Sequence, residues 1–158
     1  MAELCLPGDN QAMTSEPRKG KVRRFLELDR TDRRLLIHAV GWLAVARVRL
    51  AITPFARLAE ALANNPGVAQ GESDPLLPER IGLAVRAAAN NVPWRSDCFP
   101  QAIAAREMLG RCGYASTIHL GVDKVDEDNI AGHAWLTCGD TVVTGGETMD
   151  RYSEVHRL

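Results

Sequence analysis

Two residues in the second half of the chain, Cys98 and His133, have the types and positions that thiol chemistry requires. Cys98 precedes Phe99-Pro100, and a proline in the first turn is typical of a helix start. Unpaired N–H groups and the positive end of the dipole at a helix N-terminus favour a thiolate over a thiol. His133 is an ionisable ring in the strand-like segment "GHAWLTC", and an imidazole beside the thiol can shuttle its proton. The pair predicts nucleophilic catalysis by cysteine.

The other cysteines and histidines have more ordinary explanations. A cysteine is most often a small hydrophobic residue of the core. This structural role is the alternative to catalysis for Cys98 and the favoured interpretation for Cys112 and Cys138. A zinc site would have to use Cys98, Cys112, Cys138, His119 and His133. No pair among them has the short ligand spacing of zinc sites, so we expect neither a metal nor a cofactor.

The elements that must position the pair follow from the hydrophobic pattern. Helical spacing of apolar residues predicts helices over 25–64, 80–92 and 97–113, the first of them divided at Pro54. Thr31 or Asp32 is the predicted N-cap of the first helix, and a loop is predicted over 67–79. Alternation predicts a strand over 114–122, an acidic loop over 123–131, and a hairpin of 132–138 and 141–146 around Gly139-Asp140. Helices followed by antiparallel strands predict an α+β fold.

Composition and charge place this fold in one globular domain. The 158 residues are 46% hydrophobic and 25% charged, with a formal net charge of −1. We expect a disordered tail over 1–20 and a single domain over 21–158, made of a helical part (21–92) and a catalytic core (93–158).

The sequence also indicates where the protein is located and which classes of partner it does not bind. The basic stretch 18–34 contains Phe25 as its single aromatic residue, so we expect no nucleic-acid binding. The longest apolar run, 35–52, is interrupted by charged and polar residues, so we expect no membrane span. The N-terminus has no cleavable apolar segment and the cysteines show no paired spacing, which predicts a cytoplasmic protein with free thiols.

Two segments, "WRSDCFPQAIAAREMLGRCGYASTIHLGV" and "GHAWLTCGDTVVTGG", together resemble the transglutaminase-like leader peptidases of lasso-peptide biosynthesis. Those proteins carry a tryptophan shortly before the cysteine, a small-residue helix, a strand ending in Gly-Val, and a "HAW" strand that leads into a hairpin. The upstream "RRLLIHAVGWLAVARVRLAITPFARLAEAL" looks like the helical region of their stand-alone members. The resemblance covers about residues 25–158.

The resemblance implies a papain-like core in which the catalytic cysteine begins a helix packed on a small antiparallel sheet. It implies a cysteine peptidase that removes the leader from a ribosomally made precursor peptide. A separate leader-binding protein would deliver the precursor, and an ATP-dependent cyclase would use the product. Cys98 would be the nucleophile, with its backbone N–H as half of an oxyanion hole, and His133 the general base and acid. Trp94 and Asn91 lie upstream, and the sequence does not choose between them as the second donor.

The third catalytic member is harder to place, because the family commonly pairs an acid with the histidine. If Cys138 pairs with Thr141 across a two-residue turn, His133 faces roughly Gly146, with Gly145 adjacent. Glu147 lies just beyond, and Asp140 lies at the hairpin tip. Glu147 reaching back is the favoured hypothesis; orientation by a backbone or neutral group, or no third member, are the alternatives.

Two other functions also fit these residues. The same cysteine and histidine would support acyl transfer to an amine. A catalytically inactive peptide-binding module would explain the missing acid.

Overall fold

The computed structural model describes residues 20–63, 74–124 and 130–158. Within these ranges, helices come first and strands follow, so the predicted α+β class is confirmed. The helices are α1 (Lys21–Glu27), α2 (Arg30–Ile52), α3 (Phe55–Ala63), α4 (Leu77–Ala89) and α5 (Cys98–Arg111). The strands are β1 (Thr117–Lys124), β2 (Ile130–Cys138), β3 (Thr141–Thr144) and β4 (Ser153–Arg157), with a 3-10 helix at Gly146–Arg151. Residues 1–19 of the predicted tail and residues 125–129 of the predicted acidic loop lie outside the described residues.

Three helix starts differ from the predictions. Helix α1 begins at Lys21 and ends at Glu27, so the predicted helix over 25–64 is also divided before α2. The N-cap of α2 is Asp29, not Thr31 or Asp32, because its carboxylate accepts a hydrogen bond from the backbone N–H of Asp32 at 2.6 Å. Helix α4 begins at Leu77, inside the predicted loop, with Pro78 in its first turn. Proline is tolerated there because the first N–H groups of a helix have no intrahelical acceptor.

The sheet is antiparallel, with the strand order β3-β2-β1-β4. The hairpin of β2 and β3 has the predicted register at its tip, where Cys138 pairs with Thr141. The register then shifts by one residue between Thr137 and Leu136 and β3 ends at Thr144, so the predicted pairing does not extend to His133 and Gly146. Strand β4 was not predicted, because its five residues are all exposed and show no apolar alternation. It is held by pairing with β1 and, after its last residue, by two hydrogen bonds between the backbones of Leu158 and Ile118.

One face of the sheet packs on the helices and forms the core. Strands β1 and β2 contribute Ile118 and Leu136, which are paired across the ladder and have no exposed surface. Helices α2, α4 and α5 cover them with Leu43, Val85 and Leu109, which are also fully buried. Burial of each such side chain contributes roughly 1.5–3 kcal/mol to folding, so this layer holds α5 against the sheet.

Helix α2 is long and apolar enough to cross a membrane by length and composition, a criterion that core helices of soluble proteins also meet. Its inner face buries Ala39, Leu43 and Ala46. Near its C-terminus, Nη1 of Arg49 lies 2.8 Å from Oε1 of Glu107 on α5. The helix is therefore part of the packed domain.

Candidate active site

Cys98 is the first residue of α5, as the sequence predicts. Its thiol is free and its side chain is half-buried. Asp97, the N-cap, has extended backbone and makes no capping hydrogen bond with its side chain. Gln101 instead reaches back, and its Nε2 donates to the carbonyl of Ser96 at 2.8 Å. The thiol therefore stands at a helix N-terminus that no capping side chain closes, where an anion is favoured.

His133 lies in β2, opposite Gly121 of β1. Because side chains alternate along a strand, it shares a face with Trp135, while Leu136 points to the opposite face and the helices. Its ring stacks on Tyr152 at 4.8 Å between centroids and on Trp135 at 6.1 Å. Tyr152 was not predicted; a lone aromatic residue in the polar C-terminal segment is its only signal in the sequence.

One nitrogen of the His133 ring is held by the main chain. Nε2 lies 2.8 Å from the carbonyl oxygen of Gly145 and 3.4 Å from Oγ1 of Thr148. A carbonyl can only accept a hydrogen bond, so Nε2 carries the proton. In the neutral ring Nδ1 then holds the lone pair. The geometry leaves Nδ1 as the nitrogen that can accept a proton from a thiol.

A β-bulge in β3 precedes the Gly145 carbonyl that contacts His133. The register shifts between Thr137↔Val142 and Leu136↔Thr144, so Val143 is an extra residue on β3. The chain then leaves the ladder at Gly145, where φ is 76°. A Cβ there would lie 2.5 Å from the carbonyl oxygen of Ala134, so only glycine fits.

The favoured third member, Glu147, is placed elsewhere. Its side chain is 71% exposed, and Oε1 lies 3.9 Å from Nε of Arg86 on α4. The chain leaves the ladder after Thr144 through the left-handed turn at Gly145, so Glu147 lies in the 3-10 helix rather than in the ladder opposite His133. Asp140 stays at the exposed hairpin tip. Among the described residues, the ring nitrogens of His133 bond only Gly145 and Thr148, which matches the backbone alternative rather than the favoured carboxylate.

The elements that carry Cys98 and His133, helix α5 and strand β2, pack on each other, but the two side chains do not share a hydrogen bond. Helix α5 packs on β2 through the face that carries Leu136, whereas His133 lies on the other face. Within the part of the chain that the structure describes, no hydrogen bond joins Sγ of Cys98 to the imidazole.

The two upstream candidates for the second oxyanion donor, Asn91 and Trp94, differ in whether their N–H groups already have an acceptor. Nδ2 of Asn91 already donates to the carbonyl of Ala87 at 2.7 Å. Nε1 of Trp94 is buried and has no partner among the described residues, and the same holds for Oγ of Ser96. Buried donors of this kind usually find an acceptor. Ser96 lies two residues before Cys98 and was not among the predicted site residues.

The residues that a zinc site would need have other contacts or environments in the structure. Nδ1 of His119 lies 3.2 Å from Glu154 and Nε2 lies 2.9 Å from Oγ1 of Thr137. Cys112 is exposed, and burial raises the pKa of the Cys138 thiol. The described ranges contain no group of three or more His, Cys, Asp or Glu side chains arranged to hold a metal ion.

Comparison with known families matches residues 40–157 to the transglutaminase-like superfamily. Comparisons with curated proteins and with solved structures give no match. The matched region runs from α2 to β4 and includes both Cys98 and His133. Because this match covers most of the chain and the fold agrees with it, the protein belongs to the transglutaminase-like superfamily, which includes cysteine peptidases and transglutaminases.

Proposed function

We propose that this protein is a cysteine peptidase that removes the leader from a ribosomally made lasso-peptide precursor. The observation that carries the proposal is the state of His133: a main-chain carbonyl holds Nε2–H, which leaves Nδ1 free as a base. The nucleophile is Cys98, at the N-terminus of α5 in the same superfamily domain. The choice of a leader peptide as substrate rests on the sequence motifs around these two residues.

The reaction proceeds through an acyl-enzyme. Nδ1 of His133 takes the thiol proton as Sγ of Cys98 attacks the scissile carbonyl, and the backbone N–H of Cys98 donates to the oxyanion. The imidazolium then protonates the departing amine of the core peptide, which leaves a thioester on the leader. Water attacks the thioester with His133 as base, and this step regenerates the thiol and releases the leader carboxylate.

This route requires the ring to approach the sulfur when substrate binds. The ring lies on the face of β2 opposite the one that packs on α5, so it must move relative to the helix, and its hydrogen bond to Sγ forms only in the complex with substrate. Gly145 takes the orienting position that a carboxylate holds in related sites. A neutral carbonyl fixes the tautomer but stabilises the imidazolium less than a carboxylate would.

Partners and location complete the proposal. A separate leader-binding protein presents the precursor, an ATP-dependent cyclase consumes the released core peptide, and all three act in the cytoplasm. Cleavage should therefore accelerate when the leader-binding protein is added to the peptidase and precursor, as followed by mass spectrometry.

The decisive experiment compares Cys98→Ala with Cys112→Ala, a control that removes an exposed thiol at the other end of α5. Precursor, partner and each variant are mixed, and the products are weighed by mass spectrometry. The control should cleave like the parent protein, and Cys98→Ala should release no core peptide. Full activity in Cys98→Ala would contradict the proposal. A leader product carrying an added amine would instead identify a transamidase.

A second candidate is an inactive peptide-binding module, which the missing hydrogen bond between Cys98 and His133 favours. A thiol-reactive probe at about pH 6 distinguishes the two, because only an activated thiolate reacts well there. Peptide-level mass spectrometry reports each cysteine separately. Faster labelling of Cys98 than of exposed Cys112 supports the peptidase, and equal rates support the module.

A further inference from the structure

We propose that Arg86 of α4 is a positioning residue for His133. It holds the bulge of β3 in the shape that aims the carbonyl of Gly145 at Nε2 of the ring. The proposal rests on the proposed role of His133 as the base, but its structural part can be measured without any catalysis.

The bulge creates a buried carbonyl that needs a donor. Val143 is the extra residue of β3 and is 1% exposed. An extra residue in a bulge is left out of the regular ladder, and a buried main-chain carbonyl without a partner is destabilising. Nη1 of Arg86 donates to the carbonyl oxygen of Val143 at 2.9 Å. This side chain therefore stabilises the bulged form of β3 over a regular strand.

Helix α4 is shaped to bring Arg86 to this carbonyl. Gly82 lies one turn before Arg86, on the same face of the helix. A Cβ at Gly82 would collide with the carbonyl oxygen of Val143, so the glycine lets the helix backbone lie directly against the bulge. Both residues act on one atom of β3.

The guanidinium also reaches past Gly145. Its Nε lies 3.9 Å from Oε1 of Glu147, in the 3-10 helix. Arg86 thus contacts the segment before Gly145, through Val143, and the segment after it, through Glu147. The closer contact, at Val143, is the one that holds the segment leading to Gly145. The exposed ion pair with Glu147 adds little to stability, and it pairs that carboxylate with Arg86 rather than with the ring.

The test measures the His133 ring directly. We expect Arg86→Met to loosen Gly145, so that the two ring-nitrogen NMR shifts of His133, well separated in the parent protein, move towards each other as the tautomers exchange. Arg80→Met is the matched control, because Arg80 lies on the same helix but pairs with Asp32 at 2.7 Å, on α2. The control should leave the His133 shifts unchanged.

A second variant covers failure to fold. Arg86→Lys keeps the charge and the aliphatic stem but loses the fork that contacts both sides of Gly145. It should show the same change in ring-nitrogen shifts, to a smaller extent. Parent-like shifts in a folded Arg86→Met or Arg86→Lys protein would overturn the proposal.

An activity measurement then separates this proposal from the proposed function. If the protein is a leader peptidase, Arg86→Met should lower kcat/KM for precursor cleavage by up to about a hundredfold, because the base is misplaced. If the parent protein cleaves nothing, the proposed function fails while the ring-nitrogen shifts still decide the role of Arg86.

Discussion

Gly145 shows how one residue combines a backbone requirement with a chemical role. Its left-handed φ of 76° turns the chain out of the sheet, and its carbonyl meets Nε2 of His133. The sequence shows two glycines where an acid was expected, but not that the main chain supplies the acceptor. That result depends on a bulge two residues earlier, at Val143, which the local sequence does not mark.

Gly145→Ala should therefore lower both stability and activity. A left-handed alanine with its Cβ against Ala134 should reduce the free energy of unfolding by about 1–3 kcal/mol, measured by urea denaturation. The matched control is Gly139→Ala at the hairpin tip, where φ is also positive but the space around the Cβ is open. If both variants retain the parent's cleavage rate, the carbonyl of Gly145 has no role in orienting His133.

At the scale of elements, periodicity located most helices and strands but missed β4. This strand joins the sheet through its backbone, and its side chains Glu154 and Arg157 form an ion pair on the exposed surface. Glu154 also bonds His119 of β1, 3.2 Å away. The backbone pairing with β1 and the contact with His119 depend on the partner strand, so no pattern within 153–157 predicts them.

The ion pair predicts a dependence of stability on pH. The hydrogen bond from Arg157 holds the pKa of Glu154 below its ordinary value of 4.5, and the contact with His119 acts in the same direction. Its contribution to stability is present above that ordinary value and is lost as the pH falls through the lowered, folded-state pKa. Glu154→Gln should lose part of the decline in unfolding free energy on acidification. Identical acid limbs in urea titrations of the two proteins would contradict this.

At the scale of the whole molecule, one core connects the helical part to the sheet. Leu109 of α5 and Leu136 of β2 are fully buried in the same cluster as Leu43 of α2. Helix α5, which carries Cys98, is therefore held by this core, which also spans the boundary predicted between residues 92 and 93.

Leu109→Ala should destabilise the entire domain. The lost burial and the cavity together should lower the free energy of unfolding by about 2–5 kcal/mol. Leu83→Ala on α4 is the control, since that side chain is 54% exposed and its truncation should change stability little. A single urea transition that shifts for Leu109→Ala alone is expected; comparable shifts in both variants would contradict this account of the core.

The sequence by itself determined the features that depend on neighbouring residues. Helical and strand periods, the start of α5 at Cys98 and the pairing of Cys138 with Thr141 arise from interactions within a few positions. Only the tertiary structure decided what His133 bonds. That choice depends on a buried carbonyl at Val143 and on the guanidinium of Arg86, 57 residues away along the chain. An unpaired buried carbonyl destabilises the fold wherever it lies. The guanidinium that pairs with this one reaches it only because α4 packs on β3.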